Sequence, residues 1–377
     1  MDFGFSEEQE LLRAEVRKFL DQNASLEEVR KIVESEDGFA RPLWERMAEL
    51  GWVGLTGAEA HGGVGLDFVT LVVLLEETGR SLFPSPLIST VLAARAIEAL
   101  GSEEQQKRWL PGLLDGTKIG TLAILEESDL LTPAGIAITG SPKDGGFELT
   151  GTKPFVPDGA QADLFVVAFR TGAGRGEDGI SLAVLEAGAA GVLLTDYPRV
   201  DLTKRSAGLE LSGAVVAEDA LLGEPGSAWP QLRWLIDCGA LLVAAEAVGA
   251  AEGAVEITTR FAKERKQFGS AIGRFQGVKH PLAEMHVDVE SIKSLVYYAA
   301  WALDASPDEA QTAISRAKAY VAEVFPRLGI DAVGLHGGVG YTWEYDIQLY
   351  LKRAKWARAA YGDVEYHEAR LAELAGF

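Results

Sequence analysis

Residues 147–169 read FELTGTKPFVPDGAQADLFVVAF: two short apolar runs, Phe147–Thr150 and Leu164–Phe169, separated by Gly, Pro and Asp. Runs this short between turn-forming residues are the pattern of β-strands. Upstream and downstream of them the same reading extends to Thr121–Leu125, Ile180–Leu185 and Val192–Thr195, so the segment from Gly120 to about Leu222 is expected to be β-structure.

On either side the period changes. At the start, Ser6 and Gln9 have capping-box spacing, and Leu11, Leu12, Val16, Phe19 and Leu20 share one helical face. Helical character continues to about residue 118, interrupted at Gly51, Gly62-Gly63, Gly65, Pro84 and Pro86; Ser102 opens a further amphipathic segment. Beyond Trp229, helical periodicity returns in four runs: Leu232–Lys266, Leu282–Leu303, Pro307–Ile330 and Glu344 onward. The expected organisation is α+β in three consecutive domains: 1–118 helical, 119–228 β, and 229–377 a four-helix bundle.

A chain of 377 residues can bury a large core. Its 35 Lys and Arg against 56 Asp and Glu give a formal charge of −21, which repels a phosphate backbone and argues against nucleic acid. Small phosphorylated ligands stay open, since basic groups can gather locally. Cys238 is the only cysteine and lies in an apolar helical run, where a core role is expected; no intrachain disulfide can form. Met1 to Leu20 carry charges throughout, and no later segment offers about 18 uninterrupted apolar residues. A cytoplasmic protein with neither secretion signal nor membrane span is expected. His61, His280, His286, His336 and His367 form no pair at metal-ligand spacing, so no metal is assigned. Nucleophile-elbow, P-loop and dinucleotide-fold glycine signatures are missing.

Seven collinear segments resemble the acyl-CoA dehydrogenase family: Phe5–Gln9; Leu50–Leu55; His61–Gly65; Gly101–Gln105 with Trp109–Pro111; Leu149–Lys153; Glu264–Gly269 with Phe275-Gln276; and His336–Thr342. The resemblance covers practically the whole chain. It implies an N-terminal helical domain, a β-barrel-like middle domain and a C-terminal four-helix bundle. It also implies FAD and an acyl-CoA substrate, electron-transfer flavoprotein as acceptor, and a homo- or hetero-tetramer. Family chemistry removes an α-proton from the thioester with a carboxylate and passes the β-hydrogen to flavin as hydride.

Carried over residue by residue, Arg265, Phe268 and Gln276 match the family's grip on the ADP half of FAD, reaching across a dimer interface. Arg265 offers a planar fork for pyrophosphate, and Phe268 an apolar face for adenine. Phe155-Val156-Pro157 stands where relatives carry an aromatic residue followed by a hydroxyl donor over the flavin ring; a ring is kept and the hydroxyl is lost. The loop Leu125–Leu130 adds acid and omits a family glycine, which is expected to hinder backbone approach to an anionic cofactor. Gly334 replaces a glutamine, while Gly337, Gly338 and Gly340 keep a close approach open.

The family's general base is absent at both usual positions. One falls at Gly239; the other falls at Tyr361, whose ordinary pKa near ~10 makes it a poor base at neutral pH. Glu246, seven residues past Gly239 on the same helix face and roughly 10 Å along it, is the candidate replacement, with Asp363 second. A carboxylate in so apolar a run requires a partner or a raised pKa, and a paired bundle glutamate is the alternative. The run Gly340–Asp346 with Leu349–Ala354 resembles an actinobacterial subgroup acting on bulky acyl-CoA thioesters, including steroid side chains, in which unlike subunits pair. Three readings follow: a catalytic subunit completed by a partner, a catalytically silent structural subunit, or a self-sufficient dehydrogenase using Glu246 or Asp363.

Overall fold

The computed structural model describes residues 5–377; Met1–Gly4, the start of the expected first domain, lie outside the described residues. Six helices come first: α1 (Glu7–Asn23), α2 (Leu26–Glu34), α3 (Arg41–Glu49), α4 (Phe68–Arg80), α5 (Leu87–Leu100) and α6 (Glu103–Leu114). Eight strands follow: β1 (Gly120–Ala123), β2 (Gly140–Lys143), β3 (Gly146–Pro157), β4 (Leu164–Arg170), β5 (Ile180–Glu186), β6 (Val192–Asp196), β7 (Ser206–Val216) and β8 (Leu221–Leu222). The chain then returns to helices with α7 (Trp229–Glu264), a hairpin of β9 (Lys266–Gln267) and β10 (Ser270–Ala271), α8 (Gln276–Ala305), α9 (Pro307–His336), α10 (Ile347–Ala359) and α11 (Val364–Leu374).

The order of element types follows the sequence expectation, including the Ser6/Gln9 capping box that opens α1. Differences lie in the details. The expected last helical run from Glu344 is two helices, broken where Tyr361 and Gly362 take left-handed backbone conformations. β7 went unread because Ser206–Val216 carries Gly208 and Gly213 and buries only alternate positions over part of its length. The strands form two four-stranded sheets, β1-β4-β5-β8 and β2-β3-β7-β6.

By compact packing the chain gathers into two units. One comprises the residues up to Glu34, Asp67–Phe83 and Ala240–Phe377; the other comprises Ser35–Leu66 and Pro84–Gly239. The second unit holds both sheets. β4 is buried along its whole length, because α5 packs against its sheet and Phe169 meets Phe147 of the other sheet at 5.6 Å. Such double coverage explains the uninterrupted apolar run Leu164–Phe169.

The helical unit is centred on α4, α8, α9 and the greater part of α7. α4 buries every residue from Thr70 to Gly79 and packs on α1 and α8. Where it crosses α7 the backbones nearly touch: a Cβ on Gly79 would lie 2.0 Å from the Glu246 carbonyl oxygen, and one on Gly249 1.8 Å from that of Glu76. Only glycine permits this approach. By length and composition α7 is apolar enough to cross a membrane, but 94% of its most apolar window is buried within the protein, which marks it as a core helix.

Candidate active site

In the sheet-bearing unit, the segment after β1 is held from inside. Glu126 accepts hydrogen bonds from the backbone N–H of Ala137 (3.0 Å) and Ile138 (3.2 Å) and pairs with Lys153 Nζ at 2.7 Å. Lys153 is fully buried and also donates to the Ile124 carbonyl at 2.9 Å; burial pushes its ammonium down to about 8, against the opposing pull of Glu126. Arg170 donates to the carbonyls of Ile136, Pro133, Asp178 and Gly176. Of the acids in the loop expected to hinder backbone approach to an anionic cofactor, Glu126 is thus turned into the unit and paired, whereas Glu127 and Asp129 remain exposed. Asp129 supplies a left-handed turn position (φ 55), a conformation that Asp tolerates better than most residues.

Lys153 lies on β3, two residues before Phe155. A register irregularity between Lys153 and Val156 re-aims the end of this strand. Phe155 consequently stands 51% exposed, whereas Val156 is fully buried. The expected pair is thus split: Phe155 keeps an available ring, and the Val156 side chain belongs to the core, leaving only main chain for a ligand. Thr121 donates its hydroxyl to the Pro157 carbonyl at 2.6 Å, tying β3 to β1.

In the helical unit, Arg265 and Phe268 lie on one short exposed arm between α7 and α8, and Gln276, also exposed, opens α8. β9 and β10 pair antiparallel around a two-residue tip, and Ile272 N–H donates to the Arg265 carbonyl at 2.8 Å. Both tip residues have positive φ, 52 at Phe268 and 79 at Gly269, the geometry of a tight hairpin turn. A phenylalanine is strained there. It is also 93% exposed, with Phe275 edge-on at 6.0 Å.

α9 ends in bare backbone. Gly337 (φ 65) and Gly338, like Gly334 one turn earlier, have nothing within 4 Å of where a Cβ would project. Gly340 is different: its Cβ would meet the Val333 carbonyl at 2.7 Å. The preceding His336 is buried, stacks on Phe261 at 4.3 Å and donates from Nδ1 to the Ala332 carbonyl at 2.8 Å; burial lowers its pKa and keeps the ring neutral.

The candidate bases fare differently. Gly239 is buried in α7 and carries no side chain. Glu246 is buried and paired with the equally buried Arg353 at 3.4 Å. Arg353 is the partner that burial in so apolar a run requires, and it sits on α10. Asp363 caps α11 by accepting from Tyr366 N–H at 2.9 Å. At Tyr361 (φ 55) the carbonyl accepts from His367 Nε2 at 3.0 Å, and the next carbonyl, that of Gly362, accepts from Lys318 Nζ at 2.6 Å. Neither Lys153 nor Lys318 was singled out from sequence as a working residue. Among the described residues, no three His, Cys, Asp or Glu side chains are grouped to hold a metal.

The groups present suit FAD. Arg265 offers an unburied guanidinium fork, Phe268 and Phe155 offer accessible rings, and Gly337 and Gly338 offer main chain that no side chain obstructs.

The acyl-CoA dehydrogenase N-terminal domain family matches residues 6–117, and the acyl-CoA dehydrogenase C-terminal domain family matches residues 226–375. Acyl-CoA dehydrogenase IpdE2 of Mycolicibacterium smegmatis is 33% identical over 93% of both chains. Among solved structures, a Tcur3481-Tcur3483 steroid ACAD variant is 31% identical with a TM-score of 0.86, covering 98% of each chain. The ChsE4-ChsE5 complex from Mycobacterium tuberculosis is 29% identical with a TM-score of 0.90 and full coverage of both chains. The matching domains at both ends, and relatives aligned over nearly the whole length, establish that this chain belongs to the acyl-CoA dehydrogenase family of FAD-dependent oxidoreductases.

Proposed function

We propose that the chain is one subunit of a heteromeric acyl-CoA dehydrogenase, acting in the cytoplasm on a bulky acyl-CoA thioester such as a steroid side chain, with the general base supplied by an unlike partner. The observation that carries this reading is the absence of an available carboxylate at every candidate position: Gly239 has none, Tyr361 replaces one, Glu246 is paired to Arg353 and Asp363 caps a helix. The similarity to a Tcur3481-Tcur3483 steroid ACAD and to the ChsE4-ChsE5 complex favours the bulky substrate and the unlike partner.

When bound, FAD supplies the hydride acceptor for α,β-dehydrogenation. Arg265 would hold pyrophosphate through paired N–H donors, Phe268 would cover an apolar end, and Gln276, Phe155 and the backbone at Val156, Gly337 and Gly338 would complete the contacts. An electron-transfer flavoprotein would serve as the electron acceptor, as the similarity to a subunit of a caffeyl-CoA reductase-Etf complex suggests.

The test is to purify the chain alone, with FAD supplied during expression, and to record its visible spectrum and its mass in solution; the same measurements follow on co-expression with an unlike family member. A colourless chain that becomes yellow and acyl-CoA-reducible only in a mixed tetramer supports the proposal. A yellow homo-tetramer reduced by acyl-CoA on its own refutes it. A mixed tetramer whose flavin survives complete removal of the arm residues Arg265 and Phe268 favours the silent structural subunit instead.

A further inference from the structure

A helix that lies along a neighbour ordinarily buries an apolar stripe against it. α11 does not: the residues it buries are His367 and Arg370, one turn apart, while its Leu374 stands 46% exposed. It packs on α9, and the seam between them is made of donors. His367 donates from Nε2 to the Tyr361 carbonyl at 3.0 Å, and Arg370 reaches Gln311 Oε1 of α9 at 3.5 Å. From α9 the fully buried Lys318 donates to the carbonyls of Gly362 (2.6 Å) and Arg358 (3.2 Å), which tie down the start of α11 and the end of α10. His367 Nδ1 is buried with no hydrogen-bond partner among the described residues.

Three basic side chains thus share one buried seam. Lys318 from α9 and Arg370 from α11 itself act on His367; Asp363, the cap of α11, acts on Lys318; α10 contributes main chain through Arg358. An apolar seam would be indifferent to pH. Here each proton added places a cation out of water and beside others of its own sign. Burial pushes His367 down to about 3, helped by Lys318 and Arg370, and Lys318 down to about 7 with Asp363 opposing.

The direction of the effect follows. Lifting α11 returns His367 to water and takes the Gly362 turn off Lys318. Solvated, Lys318 holds its proton up to about 10.5 and His367 up to about 6.5. The lifted state therefore binds more protons than the docked one, through Lys318 from pH 10.5 down to 7 and through His367 from pH 6.5 down to 3. Docking is firmest in alkali and is lost stepwise as pH falls. The turn before α11 can serve as the pivot, with consecutive left-handed residues at Tyr361 (φ 55) and Gly362 (φ 100).

We propose that α11 is a proton-released latch, which swings off α9 about Tyr361-Gly362 as a unit, ahead of the rest of the helical unit, whenever acidification charges its seam.

The test is hydrogen exchange of the full-length protein in its native assembly, read by peptide between pH 9 and 5 and expressed as protection relative to unstructured amides. Protection across α11 falls at least about tenfold from pH 9 to 7 and at least about tenfold again from pH 6.5 to 5, while α8 changes by less than about twofold. Lys318→Met abolishes the upper step. His367→Gln, which keeps an N–H donor for the Tyr361 carbonyl, abolishes the lower one. Should Lys318→Met fail to fold, the unsubstituted protein and His367→Gln decide. Protection of α11 that is constant with pH, that falls in step with α8, or that keeps its lower step in His367→Gln overturns the proposal.

Discussion

The Glu246 carboxylate and the Arg353 guanidinium meet at 3.4 Å with 2% and 0% of their side chains exposed. Removing one partner of a buried ion pair typically costs about 3–5 kcal/mol. Arg353→Met should therefore lower unfolding free energy by about that amount in denaturant titrations. Glu246→Gln removes the charge itself and should leave turnover of the assembled enzyme within about threefold. A loss of a hundredfold or more in a well-folded Glu246→Gln enzyme would return Glu246 to the role of base.

Tyr361→Glu restores a carboxylate at a position where the backbone is already held. Glutamate at φ 55 is strained to a similar degree as tyrosine, so the substitution should fold. Anaerobic reduction of bound flavin by acyl-CoA, measured at 450 nm in the flavin-loaded assembly with the partner's own base inactivated, should rise at least about tenfold. No rise would mean that the segment does not reach the thioester.

Phe268 trades stability for reach. Asn is better tolerated in left-handed backbone, so Phe268→Asn should gain up to about 1 kcal/mol of stability, read as a higher denaturation midpoint. The same variant should lose flavin, visible as a lower ratio of 450 nm to 280 nm absorbance. Retention of full flavin content would remove Phe268 from the cofactor contacts.

His367 predicts an acid limb in stability. Folded, it resists protonation until pH falls to about 3; unfolded, it takes up a proton near its ordinary 6.5. Between those values the unfolded state binds more protons, so its contribution is lost as pH falls, by roughly 1 kcal/mol per pH unit. His367→Gln should flatten that slope between pH 6.5 and 3 in urea titrations. An unchanged slope would place the acid sensitivity elsewhere.

Local pattern was enough wherever one element's own residues decide its form. The Ser6 capping box, the apolar run of β4 and the long periodic helices were all legible. What sequence could not show were pairings between distant residues. The partner of Glu126, Lys153, lies two strands later, and the partner that burial of Glu246 requires, Arg353, lies on α10. The inward turn of the Val156 side chain was hidden for a smaller reason: the irregularity after Lys153 shifts which face of β3 each residue occupies. The hold of Lys318 on the Gly362 carbonyl was equally hidden, because a buried lysine leaves no mark on helical periodicity.

The division of the chain bears on how it is made. α4 leaves the ribosome well before α8, the helix that covers it, has been synthesised. Meanwhile the intervening residues 84–239, with Ser35–Leu66, contain all the strands of both large sheets and can close on themselves. The helical unit must therefore wait with the α8-facing side of α4 uncovered until translation is into its last third, the kind of interval in which nascent chains aggregate or recruit chaperones. Efficient production of this protein should depend on what accompanies it during synthesis as much as on the stability of the finished fold.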